Sequence, residues 1–353
     1  MKRVVFIIFV LLFSLVVFGN IYAFLGIDVL CDQVPTPGSV AVYDVTDPLN
    51  PTEIYFFETE LVVTGFNKVG DFIYVYFGDE MFDSKVGIII INFSDPVNPF
   101  IEKEVLLSQG IYLAEMKDNY LFGASWDKGL LVLDISDPLN PEEISSFQFE
   151  EFNMWQGVRD LSIRGDYAYL ATMDGEGWFP GPKAKETKSG LVIADISDQN
   201  NIKLVSYYKK NDWGSVFSEV KVLGNYAYCS TAEWGLDVLD ISDPYSPKFA
   251  SRNDTGTTFG SIIYNNYLYV SVKDNGLKVF DLSNPADPEL VGRYFVLGAS
   301  VDVVNINSLI LMAGQQWGGI LLDISDPENP KYLSTLPISE NRENWAIGLF
   351  EVN

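Results

Sequence analysis

Few side chains in this sequence are suited to acid–base, nucleophilic or metal chemistry. The 353 residues contain no histidine, which excludes Ser/His/Asp and Cys/His triads and histidine-ligated zinc. The two cysteines, Cys31 and Cys229, are too few for a thiolate zinc site or a disulfide-rich scaffold. The net charge of −25, from 48 acidic and 23 basic residues, argues against nucleic acid as a partner. Any chemistry must therefore use carboxylates, aromatic rings or backbone groups.

Three acidic residues, Asp160, Glu219 and Asp302, occupy equivalent positions in an internal repeat that is described below. We expect them at the start of the innermost strand of a repeat unit, where they could surround a channel mouth and attract a cation. Solvated charge at a strand end is the alternative. No cofactor is expected, but a recurring Asp-x-Ser-Asp turn offers the oxygen ligands that calcium prefers, so a calcium site stays open.

Tryptophans form the second candidate set, because all seven fall in or next to the variable connections between predicted strands. Flat amphipathic rings on irregular loops suit recognition of a sugar ring or a protein partner. The candidate ligand-binding residues are Trp126, Trp155, Trp178, Phe179, Trp213 and Trp345. Packing at the rim between neighbouring units is the alternative, above all for Trp234 and Trp317, which directly precede a strand-initiating glycine. Trp178 and Phe179 lie in the longest insertion, residues 174–188, which could be a mobile clamp.

The first residues have the order of a secretory signal. Lys2 and Arg3 precede an uncharged apolar run from Val4 to Phe18, and a segment ending in the small residue Ala23 follows. We expect residues 1–23 to be a signal peptide cleaved after Ala23. An uncleaved membrane anchor is the alternative, since about 20 apolar residues can span a bilayer. The protein is therefore expected to be secreted, periplasmic or at the cell surface.

One phrase recurs along the chain and organises the sequence after residue 38. Residues 129–141 read Gly-Leu-Leu-Val-Leu-Asp-Ile-Ser-Asp-Pro-Leu-Asn-Pro, and residues 235–247 repeat this pattern closely. The residue that ends the apolar run falls at Asp44, Asn92, Asp134, Asp195, Asp240, Asp281 and Asp323. A second phrase lies between copies, as in Gly224-Asn-Tyr-Ala-Tyr228, and its tight turn with an aromatic run is typical of a β-hairpin.

Each unit is predicted to contain four short strands, which we label a, b, c and d. Strand a precedes the tight turn, b is the aromatic run, c is the Gly-Leu-x-Val-x-Asp run, and d follows the second proline. Four strands in a repeat of 40 to 50 residues are typical of a propeller blade. The predicted fold is all-β: a seven-bladed β-propeller of four-stranded antiparallel blades over residues 38–353.

The run Leu191-Val-Ile-Ala-Asp195 and its six counterparts, with the Ile-Ser-Asp-Pro that follows, resemble the LVIVD repeat family of exported bacterial and archaeal proteins. The resemblance covers nearly the whole chain after the signal. It implies a β-propeller with a cell-surface or extracellular location and a binding or adhesion role, and it offers no catalytic residues to carry over. This sequence departs from the pattern at Asn92, which replaces Asp, and at Gln199 and Ile202, which replace the two prolines.

The two ends of the chain are predicted to share one blade. The repeats start with strands c and d at Gly38 to Phe57, and the chain ends with the apolar stretch from Trp345 to Val352, which should be the missing strand a. The segment 24–37 could supply strand b through Ile27 to Cys31, which would leave no open edge in the ring. Cys31 and Cys229 would then lie in different blades, so we expect no disulfide between them.

These features together predict an exported, acidic binding or adhesion module that recognises a glycan or an envelope or surface protein through a loop-rich face bearing the tryptophans. The membrane would be contacted only through an uncleaved N-terminal segment. Two alternatives remain. A carboxylate-based enzyme acting on carbohydrates would need two acids about 5–10 Å apart in an aromatic cleft. A structural spacer in a surface layer would need no pocket.

Overall fold

The computed structural model describes residues 20–29, 38–59, 61–78, 85–125, 129–148, 156–174, 189–209, 217–231, 235–273, 275–296, 302–314, 318–338 and 342–352. In this part of the chain it contains 28 β-strands, β1 to β28, arranged as seven sheets of four antiparallel strands. None of the described residues forms a helix long and apolar enough to cross a membrane. The protein is a seven-bladed β-propeller, as the repeat predicts.

Blades 1 to 6 follow one another along the chain, and each has its strands in the order a, b, c, d. Blade 1 consists of β4 (Val63–Val69), β5 (Phe72–Phe77), β6 (Gly87–Asn92) and β7 (Phe100–Leu106). Blade 2 consists of β8 (Leu113–Lys117), β9 (Tyr120–Ser125), β10 (Gly129–Asp134) and β11 (Glu142–Phe147). Blade 3 consists of β12 (Gln156–Arg164), β13 (Tyr167–Asp174), β14 (Gly190–Asp195) and β15 (Lys203–Lys209).

Blade 4 consists of β16 (Phe217–Leu223), β17 (Tyr226–Thr231), β18 (Gly235–Asp240) and β19 (Lys248–Asn253). Blade 5 consists of β20 (Thr258–Tyr264), β21 (Tyr267–Val272), β22 (Gly276–Asp281) and β23 (Glu289–Tyr294). Blade 6 consists of β24 (Asp302–Ile306), β25 (Leu309–Ala313), β26 (Gly319–Asp323) and β27 (Lys331–Leu336).

Blade 7 is shared by the two ends of the chain, in the order β28 (Arg342–Val352), β1 (Asn20–Val29), β2 (Ser39–Asp44) and β3 (Thr52–Glu58). The C-terminal strand is strand a, as predicted. Strand b lies earlier than predicted, at Asn20–Val29 instead of Ile27 to Cys31. Residue 31 lies outside the described residues, and Cys229 is buried on β17.

Strand β1 begins four residues before the expected signal cleavage point. Tyr22 pairs with Asp44 and Ala23 with Tyr43, and both Tyr22 and Ala23 are buried. The backbone N–H of Val45 donates to the carbonyl of Ile21 at 2.9 Å. Cleavage after Ala23 would remove these contacts, because residues 20–23 are part of blade 7.

Strand a of every blade lines the centre of the ring. The a strands contact one another in sequence, from β4 through β8, β12, β16, β20 and β24 to β28, and β28 contacts β4 again. Strands b and c of each blade are buried almost throughout, whereas strand d is largely exposed, as in β10 and β11. Because both faces of strands b and c are covered by neighbouring blades, they are apolar at nearly every position.

The hydrophobic core consists of clusters between adjacent blades rather than a single centre. Phe122 of blade 2 belongs to one cluster with Leu170 of blade 3. At the closure, Phe24 of blade 7 packs against Phe93 of blade 1, with ring centroids 5.2 Å apart, and Leu25 packs in a cluster with Leu311 of blade 6. Blade 7 therefore buries both of its faces like the others.

The connections differ between the two ends of the ring. All seven c-to-d connections have seven residues: 45–51, 93–99, 135–141, 196–202, 241–247, 282–288 and 324–330. They lie with the two-residue a-to-b turns at one end, which we call the turn face. The b-to-c and d-to-a connections lie at the other end, the loop face, and the b-to-c connections range from 126–128 in blade 2 to 175–189 in blade 3.

Candidate functional site

The three acids singled out from the sequence occupy equivalent positions on strands a. Asp160 on β12, Glu219 on β16 and Asp302 on β24 each lie four residues before the last residue of their strand. Asp160 and Glu219 are 2% and 5% exposed, and Asp302 is half-buried. These carboxyl groups therefore lie among the inner strands rather than on open protein surface.

Asp160 bridges blades 3 and 4. Its Oδ2 atom accepts a hydrogen bond from the backbone N–H of Val220 at 2.9 Å and one from Nζ of Lys221 at 2.8 Å. Although burial lowers the pKa of Lys221, the attraction of Asp160 and Glu219 outweighs it, so that this pKa lies above its ordinary value. Lys221 therefore remains positively charged among these acidic side chains.

Glu219 and Asp302 are held differently. Ser261 Oγ of blade 5 donates to Glu219 Oε2 at 2.7 Å, and the backbone N–H of Val303 donates to Asp302 Oδ1 at 2.7 Å. Burial raises the pKa of Glu219 well above its ordinary value. Burial also raises the pKa of Asp302 to about 6, against the lowering influence of the Val303 N–H and Lys221.

Two members of this group, Glu115 and Lys221, were missed by sequence reasoning. Glu115 Oε2, in blade 2, accepts a hydrogen bond from the backbone N–H of Ile163 in blade 3 at 2.7 Å. Burial raises the pKa of Glu115 to about 7, against the lowering effect of Lys221. Both residues lie two positions before the end of strand a, so aligning the repeats at that position as well would have drawn attention to them.

We call Glu115, Asp160, Glu219, Lys221 and Asp302 the channel cluster. Its main structural effect is to join neighbouring inner strands, because Glu115 and Asp160 each accept a backbone N–H from the next blade. Strand a has no partner strand within its blade on its inner side, so such N–H groups need another acceptor. Among the described residues, no three His, Cys, Asp or Glu side chains lie close enough to hold a metal ion.

The aspartates of the repeated turn accept hydrogen bonds from nearby N–H groups. The backbone N–H of Ser136 donates to Asp134 Oδ1 at 2.8 Å, and that of Leu139 donates to Asp137 Oδ1 at 3.0 Å. A side-chain bond from Asn140 to Asp137 and one from Ser136 to Asp134 are the largest causes that lower the pKa of these carboxyls. These bonds explain the turn without an ion, and calcium at such turns stays a prediction.

In the sequence, the tryptophan candidates other than Trp345 fall in the b-to-c and d-to-a connections. Trp126, Trp155, Trp178, Phe179 and Trp213 fall outside the described residues, as do Trp234 and Trp317. The flanking strand ends are described: Trp126 lies between β9 and β10, and Trp178 between β13 and β14. Trp345 falls within β28 rather than in a connection. Because Gly26 pairs with Ala346 and Ile27 with Asn344, Trp345 is the extra residue of a β-bulge.

Solved structures show the same architecture at low sequence identity. A putative 6-phosphogluconolactonase from Bacteroides uniformis aligns with a TM-score of 0.69 and 10% identity, over 94% of this chain and 100% of that one. A second, from Bacteroides fragilis, aligns with a TM-score of 0.64 and 10% identity, over 94% and 98%. Apo AztD from Citrobacter koseri aligns with a TM-score of 0.54 and 13% identity, also over 94% and 98%. At these identities the likeness is one of fold.

The sequence comparison identifies the repeat itself. The LVIVD repeat matches residues 115–148, 157–176, 186–210, 216–255 and 259–296, which correspond to blades 2 to 5. The search of curated proteins gave no significant match. Blades 1, 6 and 7 repeat the same strand order and the same seven-residue connection outside the matched segments. Blades 2 to 5 are therefore built from LVIVD repeats, as the resemblance in the sequence indicates.

Proposed function

We propose that this protein is an exported, non-catalytic binding module of the cell envelope that holds a glycan or a protein partner on its loop face. The observation that carries this proposal is the contrast between the two ends of the ring. The turn face repeats one connection of fixed length in every blade, whereas the loop face collects the connections of unequal length and the tryptophans. A repeated turn is explained by folding, but irregular aromatic loops on a rigid scaffold are the usual place for recognition.

The channel cluster supports a binding role rather than a catalytic one. Its buried carboxylates already accept hydrogen bonds from Val220, Lys221, Ile163 and Ser261. A general acid or nucleophile must reach its substrate in an open cleft. We therefore assign the cluster to the stability of the ring.

A second candidate function, hydrolysis of a carbohydrate, has one observation in its favour. Glu115 and Asp302 have raised pKa values of about 7 and about 6, and they surround an ion pair of Asp160 with Lys221. Glycosidases place two carboxyl groups in different environments, so that one acts as the acid and the other as the base or nucleophile. Release of reducing ends from polysaccharides, abolished by Glu115→Gln with the fold intact, would support this candidate over the first.

The binding proposal is tested with the exported protein and a panel of purified neutral and acidic polysaccharides and peptidoglycan fragments, with and without calcium. Trp155→Ala, Trp178→Ala and Trp213→Ala are the test variants. At a true contact, the loss of a stacked ring should weaken binding on the order of a hundredfold, which is a few kcal/mol. The melting temperature should not change.

Pro138→Ala, on the turn face, is the matched control and should leave affinity unchanged. If the tryptophan variants lower only the melting temperature, the rings pack between blades and the loop face is not the binding surface. Loss of ligand in the Pro138 variant alone would also contradict the proposal. Fractionation of cells would test export, since a cytoplasmic pool of the folded protein would contradict an envelope role.

A further inference from the structure

A recurring contact closes the space between adjacent blades near the turn face. The hydroxyl of Tyr74, on strand b of blade 1, donates to the carbonyl of Pro138 in blade 2 at 2.6 Å. In the same way Tyr228 of blade 4 donates to the carbonyl of Pro285 in blade 5 at 3.0 Å. At both positions a strand-d side chain donates to the carbonyl of the residue that follows the proline. Ser251, for example, donates to the carbonyl of Ala286 at 2.6 Å.

Between blades 3 and 4 the contact is of a second kind, which also occurs where Ser145 donates to the carbonyl of Gln199 and Ser334 donates to that of Pro48. Here the strand-d residue, Ser206, donates to the proline carbonyl itself, that of Pro244, at 2.6 Å. Tyr169 is the counterpart of Tyr74 and Tyr228 on strand b. Instead of closing the gap, Tyr169 lines a pocket of about 370 Å³ that opens between the two blades on the turn face. We call this the blade 3–4 pocket.

The walls of the blade 3–4 pocket combine aromatic rings with planar polar groups. The residues that matter for recognition are Arg164, Asp166, Tyr167, Tyr169, Asp195 and Asn225. The half-buried ring of Tyr167 offers an apolar face, while the hydroxyl of Tyr169, a guanidinium, two carboxylates and an amide offer donors and acceptors. A pocket of a few hundred Å³ with aromatic walls and a few oriented polar groups is typical of a small-ligand site.

The charges around the pocket cancel. Lys117 of blade 2 forms an ion pair with Asp166, with Nζ and Oδ1 2.9 Å apart. Hydrogen bonds from Ser197 lower the pKa of Asp195, so this carboxylate is ionised. Asp195 and Arg164 both line the pocket, so their opposite charges offset each other. A pocket without net charge favours a neutral ligand that can exchange hydrogen bonds with both donors and acceptors.

The polar walls are already held in place. Lys117 Nζ also donates to the carbonyl of Gly165 at 2.6 Å, which fixes the a-to-b turn that carries Asp166. Arg164 Nη2 donates to Oδ1 of Asn225 across the two blades at 3.2 Å. Tyr169 is 2% exposed and belongs to the core between blades 3 and 4. Side chains fixed in this way lose little conformational entropy when a ligand binds.

We propose that the blade 3–4 pocket binds a neutral sugar unit, whose ring would lie against Tyr167. Its hydroxyls would bond to the hydroxyl of Tyr169 and to Arg164, Asp195 and Asn225. A sugar ring has an apolar face and a rim of hydroxyls that both donate and accept, which matches rings beside balanced charged groups. This site is separate from the loop-face site of the proposed function and does not depend on it.

The test uses the full exported chain and isothermal titration with glucose, galactose, mannose and N-acetylglucosamine, with glucuronate and glucosamine as charged comparators. A monosaccharide in such a pocket should bind with a Kd of about 1 mM or tighter. Tyr169→Phe keeps the ring and removes the hydroxyl, and Arg164→Gln removes the charge at an exposed position. Each should weaken binding about five- to tenfold, which is about one net hydrogen bond.

Tyr228→Phe is the matched control, because it deletes the hydroxyl at the equivalent position of blade 4. It should lower the melting temperature through loss of the bond to Pro285 and leave sugar affinity unchanged. Three results would overturn the proposal: no neutral sugar binds in the millimolar range, a charged comparator binds best, or affinity survives both pocket variants. If sugar binding were lost only in Trp155→Ala or Trp178→Ala, it would belong to the loop face, which supports the proposed function and refutes this site.

Discussion

At the scale of single residues, Lys221 holds the channel cluster together. It lies in the field of Asp160, Glu219 and Glu115, and it also lowers the pKa of Asp302. Asp160 is its direct partner, and the side chains of Lys221 and Asp160 are 20% and 3% exposed. Among the described residues, the four carboxyls of the channel cluster thus share Lys221 as a positively charged neighbour.

Substitution of Lys221 by Met should destabilise the fold by about 3–5 kcal/mol, because it removes the charged partner of the buried Asp160. Asp160→Asn should cost clearly less, since an amide oxygen can still accept from Val220 and Lys221. Urea unfolding of the two variants measures the difference. Equal stability of the two variants would mean that the carboxylate left unpaired at Asp160 adds little to the loss of the ion pair.

The raised pKa values predict a pH dependence of stability. Glu115, with a pKa of about 7, and Asp302, with a pKa of about 6, bind protons more tightly in the folded chain than in the unfolded chain. Their contribution is therefore full below the usual carboxyl pKa near 4 and is lost as pH rises through about 6 and 7. The melting temperature should fall from pH 5 to pH 8, and the fall should be smaller in a Glu115→Gln, Asp302→Asn double variant. A double variant with the same slope as the parent chain would show that general charge repulsion, not these carboxyls, sets the dependence.

At the scale of elements, the repeated turn does not require its prolines. In blade 3, where Gln199 and Ile202 replace them, the backbone N–H of Asn201 still donates to the carbonyl of Asp198 at 3.0 Å. The corresponding bond from Asn140 to Asp137 in blade 2 is also 3.0 Å. The aspartate and its side-chain bonds to following N–H groups therefore hold the turn, and proline adds stiffness.

The glycine that begins strand c is needed for the approach of strand d. Gly235 has φ of +100°, and a Cβ atom there would lie 2.3 Å from the carbonyl oxygen of Asn253. Gly235→Ala should therefore destabilise by about 1–3 kcal/mol, as is usual for a side chain forced into such a conformation. Thermal or urea unfolding provides the measurement.

Gly224→Asn is the control for this prediction. Gly224 has φ of +57° with open space around it, and Asn265 and Asn307 occupy the same turn position in blades 5 and 6 with φ of +48° and +51°. The Asn variant should be nearly neutral. If the two variants were equally unstable, positive φ alone, and not the close approach to Asn253, would explain the glycine of strand c.

At the scale of the whole molecule, the ring is closed by hydrogen bonds between the two ends of the chain. β28 pairs with β1 from Asn20–Val352 to Val29–Arg342, and β28 also contacts β4 and β24 of the neighbouring blades. Closure therefore stabilises the ring both by strand pairing and by packing of β28 against the two neighbouring blades. It covers the edge of β1 that would otherwise be open.

Deletion of residues 344–353 should sharply lower the melting temperature and promote association through the exposed edge of β1. Calorimetry and light scattering measure the two effects. Removal of Asn353 alone, outside the described strand, serves as control and should change neither. A truncated protein with the stability of the full chain would refute closure by β28.

The position of β1 predicts where the mature chain begins. Because Tyr22 and Ala23 are buried in blade 7, we expect the exported protein to retain Asn20 onward, with any cleavage upstream of it. The intact mass of the protein recovered from the envelope provides the measurement. A mature chain that begins at Phe24 would contradict the pairing seen for the first four residues of β1.

The sequence by itself determined the repeat, the number of blades and the shared seventh blade. These features follow from short-range patterns: an apolar run, a turn with its aspartate, and a glycine, copied along the chain. Even the equivalence of Asp160, Glu219 and Asp302 could be read from spacing alone. The start of strand b in blade 7 could not, because the apolar residues from Val4 to Leu25 satisfy a signal segment and a buried strand equally well.

Only the tertiary structure decided what the aligned residues touch. The bonds of Glu115 with Ile163 and of Asp160 with Lys221 join residues 48 and 61 positions apart in different blades. Between blades 3 and 4, Ser206 is bonded to the carbonyl of Pro244 and Tyr169 lines the pocket. Such choices depend on the distance and angle between adjacent blades once the ring has closed. A local pattern specifies how one blade folds, but the contacts between blades are fixed by how all seven pack together.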